Sequence, residues 1–356
     1  MSPGPRLTLV AALLLVVALG GCPSPQSAPP PDAGAPEPER QPSAVTMRVG
    51  YFPNVTHAQA VLGFSAQEQT FAAALAGQAT LDTKVFNAGP SAMEALHAKA
   101  LDMCFVGPTP AINAYAKGGD LVLVANVANG GSLLMARKGC EIAGVRGLEG
   151  KKTSVPQLGN TQDAMLRHLL GREGIRLKDQ GGSTTILPVE NPDVLTLFVR
   201  KELDAACVPE PWGARLEVEA GASVVLDEKA IWREGDYPVT VLVARKEFLA
   251  EHSDLVRAFV GALQELTDRL AQGREADASA LNAELKTLTG QELKPEVLSK
   301  ALGRIQFTTA ANPEALRAMA EVMKEVGYAD TVPDLTGMVD TSFLPQVTTG
   351  PPAGGS

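Results

Sequence analysis

The stretch from Lys99 to Pro108, KALDMCFVGP, recurs in outline as KELDAACVP between Lys201 and Pro209. Each copy ends a helical segment, makes a Leu-Asp turn, continues as an apolar run of strand length and closes on a proline-bearing loop. In both places a further helix, a glycine turn and another strand follow. The repeat predicts two α/β halves of similar design.

Apolar patterning in the first half alternates between strand and helix. Met47 to Phe52 predicts a strand that ends at Pro53, and Ala58 to Leu75 has apolar residues at helical spacing. The alternation continues with a strand at Val85 and Phe86, a helix from Ser91 to Lys99, a strand from Met103 to Val106, a helix from Ala111 to Ala116 and a strand from Leu121 to Val124. Strands that alternate with helices indicate a mostly parallel sheet.

The second half repeats this series and then returns the chain to the first. Its predicted elements are a strand from Thr153 to Pro156, a helix from Thr161 to Leu170 and a strand from Thr185 to Pro188. The strand from Val239 to Ala244 leads back to the first half, and the segment from Ser253 to Ala329 is predicted to be helical. With this arrangement, the chain crosses between the two halves near residues 130–136 and again near residues 236–240. Two such connections between the halves predict a hinge.

We therefore predict an α/β fold of two lobes, each with a mostly parallel sheet, with a hinge cleft between them and a helical C-terminal part. The predicted boundaries are residues 46–135 for the first segment of lobe I, 136–235 for lobe II, 236–345 for the return to lobe I and 346–356 for a disordered tail.

Charge and motif content exclude several classes of protein. The 31 Lys and Arg residues against 40 Asp and Glu residues give a net charge of -9, the wrong sign for a nucleic-acid partner. Four cysteines without a C-x-x-C pair and four scattered histidines predict no metal site, and we expect no cofactor. The P-loop and nucleophile-elbow motifs are absent from the sequence, which removes the usual signatures of ATPases and α/β hydrolases.

The N-terminal segment predicts export and anchoring. Arg6 precedes an apolar run from Leu7 to Leu19, which is too short to span about 30 Å of hydrocarbon, so residues 1–21 are predicted to be a signal peptide. The following Leu-Gly-Gly-Cys22 resembles the lipobox of bacterial lipoproteins, which implies lipidation of Cys22. An ordinary secretory signal with an incidental cysteine is the alternative. Residues 22–45 are rich in Pro and Ala and are predicted to form a disordered tether.

Small polar residues fill four loops that follow predicted strands. These loops span residues 52–57, 87–91, 107–110 and 157–162. In open parallel sheets, ligands bind beyond the carboxyl ends of the strands, where loops lead into helix N-termini. Free backbone N–H groups, hydroxyls and positive helix-dipole ends can hold an anion without Lys or Arg, which reconciles anion binding with the acidic net charge.

The same loops carry a family resemblance. The segments are Gly50 to Ala58, GYFPNVTHA; Asn87 to Ser91, NAGPS; Gly107 to Ala111, GPTPA; Pro156 to Asp163, PQLGNTQD; and Val208 to Trp212, VPEPW. In this order they resemble the nitrate/sulfonate/taurine branch of ABC-transporter substrate-binding proteins. The resemblance runs from about Met47 to Phe248.

The resemblance implies a function as well as a fold. It implies a type II periplasmic binding protein that is not an enzyme, closes on a small anionic or zwitterionic solute and delivers it to an ABC permease and its ATPase. It further implies that the matching loops line the cleft, with ligand contacts from Asn54, Thr56, His57, Ser91, Thr109, Asn160, Thr161, Glu210 and Trp212. We expect a monomer at the periplasmic or extracellular face of the cell envelope, anchored to the membrane through lipidated Cys22.

Several alternatives stay open at this point. His57 could brace the first helix, Trp212 could be a core residue, and Glu210 could form a structural salt bridge or helix cap. The whole protein could instead be a ligand-sensing lipoprotein, or a thiamine-pyrimidine precursor binding protein or synthase-like enzyme. That last class uses adjacent cysteines, whereas Cys104, Cys140 and Cys207 are scattered.

Overall fold

The computed structural model describes residues 45–232 and 235–346. The predicted signal peptide, Cys22, nearly all of the tether and all of the tail except Gln346 lie outside the described residues. Among the residues that are described, no helix has both the length and the apolar character needed to cross a membrane.

The first part of lobe I follows the predicted alternation of strands and helices. Its elements are β1 (Val45–Tyr51), α1 (Ala58–Gly63), α2 (Thr70–Ala74), β2 (Ala79–Val85), α3 (Gly89–His97), β3 (Met103–Val106), α4 (Pro108–Gly118) and β4 (Leu121–Gly130). A short 3-10 helix, Val55–His57, precedes α1.

Lobe II begins only two residues after β4 ends. Its elements are β5 (Ser132–Ala136), β6 (Lys152–Val155), α5 (Thr161–Arg172), β7 (Thr185–Pro188), α6 (Asn191–Val199), β8 (Ala205–Pro209), α7 (Trp212–Ala220), β9 (Ser223–Asp227) and α8 (Glu228–Ile231). Because β5 already pairs within the second sheet, the first crossing lies at Gly130 and Gly131, a few residues before the predicted boundary at residue 135.

The chain then returns to lobe I and becomes mostly helical. The returning elements are β10 (Pro238–Arg245), α9 (Lys246–Glu251), α10 (Ser253–Ala271), α11 (Glu275–Thr289), α12 (Pro295–Gly303), β11 (Ile305–Phe307) and α13 (Pro313–Glu325). The short strand β11, which pairs with β4, has no counterpart in the predicted elements.

Apart from the edge strand β11, the two sheets have the same strand order. The first sheet runs β11-β4-β10-β3-β1-β2 and the second β7-β6-β8-β5-β9. In each, the first strand of the half pairs in parallel with the second and third strands. An antiparallel strand, β10 or β5, then separates the third strand from the fourth. Both inserted strands come directly after a crossing between the lobes, so the internal repeat extends to the topology.

The Leu-Asp turn of each repeat makes the same contacts in both lobes. Asp102 accepts a hydrogen bond from the backbone N–H of Arg48 at 2.9 Å, and Asp204 accepts one from that of Lys152 at 3.0 Å. Arg245, at the end of β10, pairs with Asp102 at 2.7 Å, while Arg137, just after β5, approaches Asp204 at 3.4 Å. Each aspartate therefore ties the first strand of its half to the end of the antiparallel strand.

The predicted helix from Ala58 to Leu75 is broken into α1 and α2, and the cause is core packing. Phe71 stacks on Phe259 of α10 with ring centroids 4.0 Å apart. The Phe71 ring packs directly on Gly63, where an added Cβ would lie 2.3 Å from the ring. The chain turns between these two residues, which brings the ring over the glycine. Tertiary burial of the aromatic ring prevails over helical spacing.

Candidate functional site

A small cavity lies between the lobes at the predicted loops. Its volume is about 30 Å³, and it is lined by Phe52, Asn54, Thr56, His57, Asn87, Ala88, Gly89, Gly107, Pro110, Pro156, Asn160, Thr161, Gln162, Asn191, Pro209 and Val239. A volume of this size holds about two water-sized groups. The cavity therefore fits a compact polar group in the conformation observed here.

Four helices begin at this cavity, two from each lobe. Lobe I contributes the starts of α3 and α4, and lobe II contributes those of α5 and α6. The parallel strands end beside the helix starts, as the fold of each half dictates. Each helix N-terminus carries partial positive charge from its unpaired N–H groups, so the four dipoles add a positive potential without a formal charge.

Three buried polar atoms of the cavity lining have no hydrogen-bond partner. They are His57 Nε2, Thr161 Oγ1 and Asn191 Oδ1, and each residue is at most 4% exposed. A buried polar atom without a partner costs about 1–3 kcal/mol. A ligand that supplies the missing partners would recover that cost on binding.

His57 is held as a neutral ring. Its Nδ1 lies 3.1 Å from Thr56 Oγ1, and its ring is 4.5 Å from that of Phe52. Burial lowers the pKa of His57 to about 3, and the nearby backbone carbonyl of Phe105 opposes this only in part. The ring is therefore neutral near pH 7 and offers hydrogen-bonding capacity without charge.

No Lys, Arg, Asp or Glu side chain is among the described residues that line the cavity. The carboxylate nearest in sequence, Asp163, is bound elsewhere: it accepts hydrogen bonds from Gly159 N at 2.7 Å, Arg167 Nε at 2.9 Å and the Tyr328 hydroxyl. The site can thus bind through neutral donors and helix dipoles, which is the arrangement expected for an anion held without a counter-ion.

The structure brings five of the nine sequence-predicted residues to the cavity. Asn54, Thr56, His57, Asn160 and Thr161 line it. Thr109 is buried in the first turn of α4 but lies outside the lining. Ser91 is half-buried, and its hydroxyl donates to the carbonyl of Ala88 at 3.0 Å, within its own helix start.

Glu210 and Trp212 lie beside the cavity and make contacts between the lobes. The Glu210 carboxylate pairs with Arg304 at 2.8 Å and accepts a hydrogen bond from Ala214 N at 2.9 Å. These contacts match the salt-bridge and helix-cap alternative. The Trp212 indole donates to Asn54 Oδ1 at 2.9 Å, so Trp212 contacts a residue of the cavity lining.

Comparison with known proteins identifies the family of this chain. The family model described as the NMT1-like family matches residues 40–285. The chain belongs to the NMT1-like family. A binding protein of Brucella abortus (strain 2308) is 28% identical over 229 residues, 62% of this chain and 69% of that protein. The taurine-binding periplasmic protein of Escherichia coli (strain K12) is 26% identical over 183 residues, 51% of this chain and 54% of that protein.

Solved structures share the fold of this NMT1-like protein. The alkanesulfonate-binding protein of Xanthomonas axonopodis pv. citri, bound to MOPS, matches with a TM-score of 0.69 at 20% identity, covering 83% of this chain and 98% of that one. The nitrate-binding protein of Synechocystis PCC 6803 matches with a TM-score of 0.69 at 12% identity, covering 84% and 87%. The predicted α/β fold of the type II periplasmic binding proteins is confirmed, as is the family resemblance.

Three polar residues that line the cavity were not predicted from the sequence as ligand contacts, namely Asn87, Gln162 and Asn191. The first two lie in loops that the sequence pointed to. Asn191 opens α6 in Asn191-Pro192, a helix-start signal that could have added this loop to the predicted set.

A larger groove of about 1020 Å³ runs along α11 and α12 of lobe I, away from the cleft. Side chains of both charge signs line it, among them Arg274, Asp277 and Lys286. The described residues that line it contain no buried polar atom without a partner. The smaller cavity between the lobes is therefore the stronger candidate site.

Proposed function

We propose that this protein is the substrate-binding component of an ABC importer, which captures a small oxyanion-bearing solute between its lobes and delivers it to the permease. The solute class is that of aliphatic sulfonates, taurine or nitrate. The protein binds the solute without converting it.

One observation carries this proposal: four helix N-termini and two unpartnered polar atoms that can donate, His57 Nε2 and Thr161 Oγ1, meet between the lobes at a cavity lined by uncharged residues. A monoanion placed there would accept hydrogen bonds from neutral donors while the helix dipoles stabilise its charge. Because both lobes supply groups, only the closed form offers the complete set, and solute binding favours closure.

The relatives support the same solute class. Their names specify alkanesulfonate, taurine and nitrate, which share a compact, charge-delocalised oxyanion group. None of Cys104, Cys140 and Cys207 lines the cavity, so the synthase-like alternative finds no support among the cleft residues.

Anchoring rests on the sequence alone, since Cys22 lies outside the described residues. We propose that the lipidated cysteine holds the protein at the membrane, next to the permease. Cys22→Ser is expected to move the protein from the membrane fraction to the soluble fraction. Membrane retention of that variant would contradict the lipobox interpretation.

The test of solute binding is thermal unfolding of the full chain with taurine, butanesulfonate, nitrate and, as a comparison, a neutral pyrimidine. A ligand at 100 times its dissociation constant stabilises a protein by about 2.7 kcal/mol. We expect a shift of several degrees with one of the anions and none with the pyrimidine.

Two variants compare a hydroxyl that lines the cavity with a hydroxyl that does not. Thr161→Val removes a cavity hydroxyl and should abolish most of the anion-induced shift, whereas Ser91→Ala removes one that bonds within α3 and should retain it. A shift with the pyrimidine alone, or equal losses in the two variants, would contradict the proposal.

A further inference from the structure

A buried carboxylate of lobe II lies where α5 meets the end of α13. Asp163, in the first turn of α5, is completely buried. Its Oδ2 accepts hydrogen bonds from Gly159 N at 2.7 Å and from the Tyr328 hydroxyl. Its Oδ1 accepts one from Arg167 Nε at 2.9 Å. Three donors therefore meet at one carboxylate, and one of them, Tyr328, belongs to lobe I.

On the lobe II side, Asp163 fixes the loop that leads into the cavity. Its carboxylate holds the N–H of Gly159, and its own N–H donates to the side chain of Asn160 at 2.9 Å. Both bonds fold the loop back onto the first turn of the helix, in the manner of a capping box. Asn160 and Thr161 line the cavity, and the Thr161 hydroxyl there has no partner. The shape of this part of the site thus depends on Asp163.

On the lobe I side, the end of α13 fixes Tyr328. Gly327 has φ +78°, and its N–H donates to the carbonyl of Lys324 at 3.1 Å. Tyr328 N donates to the carbonyl of Met323 at 2.8 Å, which completes a Schellman motif. Burial raises the pKa of the Tyr328 hydroxyl, which therefore stays protonated and acts as a donor. A defined helix end thus holds this donor beside α5.

The contact between α5 and α13 extends beyond this bond. Met165 of α5 and Met319 of α13 are buried in the same apolar cluster. His168 Nδ1 lies 2.9 Å from Glu325 Oε2, and the side chain of Glu325 is half-exposed. The contact therefore has an apolar part and a solvated polar pair, and the Asp163 carboxylate is its buried polar element.

Separation of the lobes would remove only one of the three donors from Asp163. Gly159 and Arg167 belong to lobe II and would stay bound to the carboxylate, whereas the Tyr328 hydroxyl would move away with lobe I. A hydrogen bond to a charged acceptor shifts an equilibrium by about tenfold or more. The bond from Tyr328 therefore favours the form in which both lobes face the cavity.

We propose that Tyr328 is a positioning residue of the anion site: from lobe I, and through Asp163, it holds the loop of lobe II at the cavity and favours the closed form. Tyr328 itself does not line the cavity. This role rests on the importer function proposed above, because its consequence is slower release of a bound anion. The anion enters the open form, so its association rate does not depend on the Tyr328 hydroxyl.

The first experiment needs no ligand. Urea unfolding of the full chain is measured for Tyr328→Phe, for Asp163→Asn and for the double variant, which together form a double-mutant cycle. Asp163→Asn leaves a neutral and therefore weaker acceptor. Tyr328→Phe should lower the unfolding midpoint in the wild-type background and lower it less than half as much in the Asp163→Asn background. Equal shifts in the two backgrounds would overturn the proposal.

The second experiment measures anion kinetics. Whichever of taurine, butanesulfonate and nitrate stabilises the wild type is used in stopped-flow binding followed by tryptophan fluorescence. Tyr328→Phe should raise the dissociation rate constant about tenfold and leave the association rate constant within about twofold of the wild type. Tyr115→Phe is the matched control, since its hydroxyl donates to the carbonyl of Thr336 within lobe I, and it should release the anion as the wild type does.

The two experiments distinguish this role from the importer function. If the wild type binds none of the three anions, the importer function fails, and the ligand-free cycle still decides whether Tyr328 acts through Asp163. If the wild type binds one of them and Tyr328→Phe releases it at the wild-type rate, the importer function stands and the role of Tyr328 is wrong. Equal increases in Tyr328→Phe and Tyr115→Phe would also overturn it, because the position of the hydroxyl would then not matter.

Discussion

The indole Nε1 of Trp212 donates a hydrogen bond of 2.9 Å to Asn54 Oδ1, and this bond joins lobe II to lobe I beside the cavity. Trp212 is 7% exposed and belongs to the core of lobe II, while the Arg215 guanidinium lies 5.2 Å from its ring centre. One side chain therefore serves both the packing of a lobe and the closed contact between the lobes.

Trp212→Phe should separate these two roles. The phenyl ring retains most of the apolar packing but leaves Asn54 Oδ1 without its donor, at a cost of about 1–3 kcal/mol to the closed form. We expect the radius of gyration from small-angle X-ray scattering to increase, with a melting temperature close to that of the wild type. Trp212→Ala serves as the comparison and should lose about 3–5 kcal/mol of stability through the cavity it leaves. An unchanged radius of gyration in Trp212→Phe would show that the indole N–H has no separate role in closure.

The sequence identified Trp212 and Glu210 as important without revealing how they act. The motif that contains them predicted ligand contacts, but Glu210 pairs with Arg304, which lies 94 residues further along the chain. Such a pairing depends on where α12 packs against lobe II, and no local pattern encodes that position. By contrast, His57 and Thr161 reach the cavity because they lie at strand-to-helix loops, which the alternation of strands and helices does predict.

Arg304→Ala tests the ion pair between the lobes. Arg304 contacts Glu210 at 2.8 Å and Glu217 at 2.6 Å, and the Glu210 side chain is fully buried. Removing the guanidinium leaves a buried carboxylate unpaired, which costs about 3–5 kcal/mol. Lys300→Ala removes a half-exposed partner of Glu217 and should cost less than about 1 kcal/mol.

The pH dependence of this effect has a defined sign. Burial raises the pKa of Glu210, with the hydrogen bonds from Arg304 and Ala214 opposing it. Without Arg304 the rise is larger, so the carboxyl can stay protonated at low pH, and the cost of Arg304→Ala should grow as pH rises above 4.5. Urea unfolding at pH 5 and pH 8 measures it. The double variant Arg304→Ala with Glu210→Gln should lose the pH dependence, and a cost that is equal at both pH values would contradict this account.

Asp102→Asn tests the Leu-Asp turn that the sequence repeat predicted. Burial alone would raise the pKa of Asp102, but hydrogen bonds from Arg48 and Arg245 prevail and hold it below its ordinary value of 3.8. The resulting stability is present above that value and is lost as pH falls through the lower, native-state pKa. We expect Asp102→Asn to cost about 3 kcal/mol at pH 7, with the difference from wild type shrinking below pH 4.

Asp204→Asn is the matched control in lobe II. Asp204 makes the equivalent contacts, but its side chain is 26% exposed against 1% for Asp102, and its distance to Arg137 is 3.4 Å. A more solvated and longer pair contributes less, so the loss should be under about 1 kcal/mol. Urea unfolding of the two variants under identical conditions compares them. Equal losses would show that burial does not decide the strength of this turn.

The Leu-Asp repeat could be recognised in the sequence because both copies use the same residue types to form the same local contacts. Leu101 and Leu203 are buried, and the following aspartates bind a neighbouring strand through its N–H group. The strand order could not be predicted from the sequence. The antiparallel strand of lobe II, β5, comes before the other strands of that lobe in the sequence, whereas the antiparallel strand of lobe I, β10, comes after the whole of lobe II. The break between α1 and α2 was hidden for a similar reason: Phe71 meets Phe259, which is remote in sequence.

Gly107→Ala should block closure while leaving each lobe intact. Gly107 is the N-cap residue just before α4 of lobe I and has φ -65°, a conformation that alanine also adopts, so the backbone tolerates the change. The added Cβ would lie 2.4 Å from Thr161 Oγ1 of lobe II, whereas its nearest neighbour within lobe I, Pro110 Cδ, is at an ordinary 3.6 Å. The clash therefore exists only when the lobes meet.

We expect Gly107→Ala to reduce anion affinity at least tenfold, measured by calorimetry with the anion that stabilises the wild type, at a stability cost below about 1 kcal/mol. Gly118→Ala, at the other end of α4, would bring its Cβ no closer than 3.4 Å to Asp120 and should bind as the wild type does. Because Thr161 Oγ1 is the atom in the way, the clash should disappear in the double variant Gly107→Ala with Thr161→Ala. That double variant should bind no more weakly than Thr161→Ala alone. A further loss in the double variant would mean that Gly107 acts on the ligand through its own backbone, and the steric account of closure would be wrong.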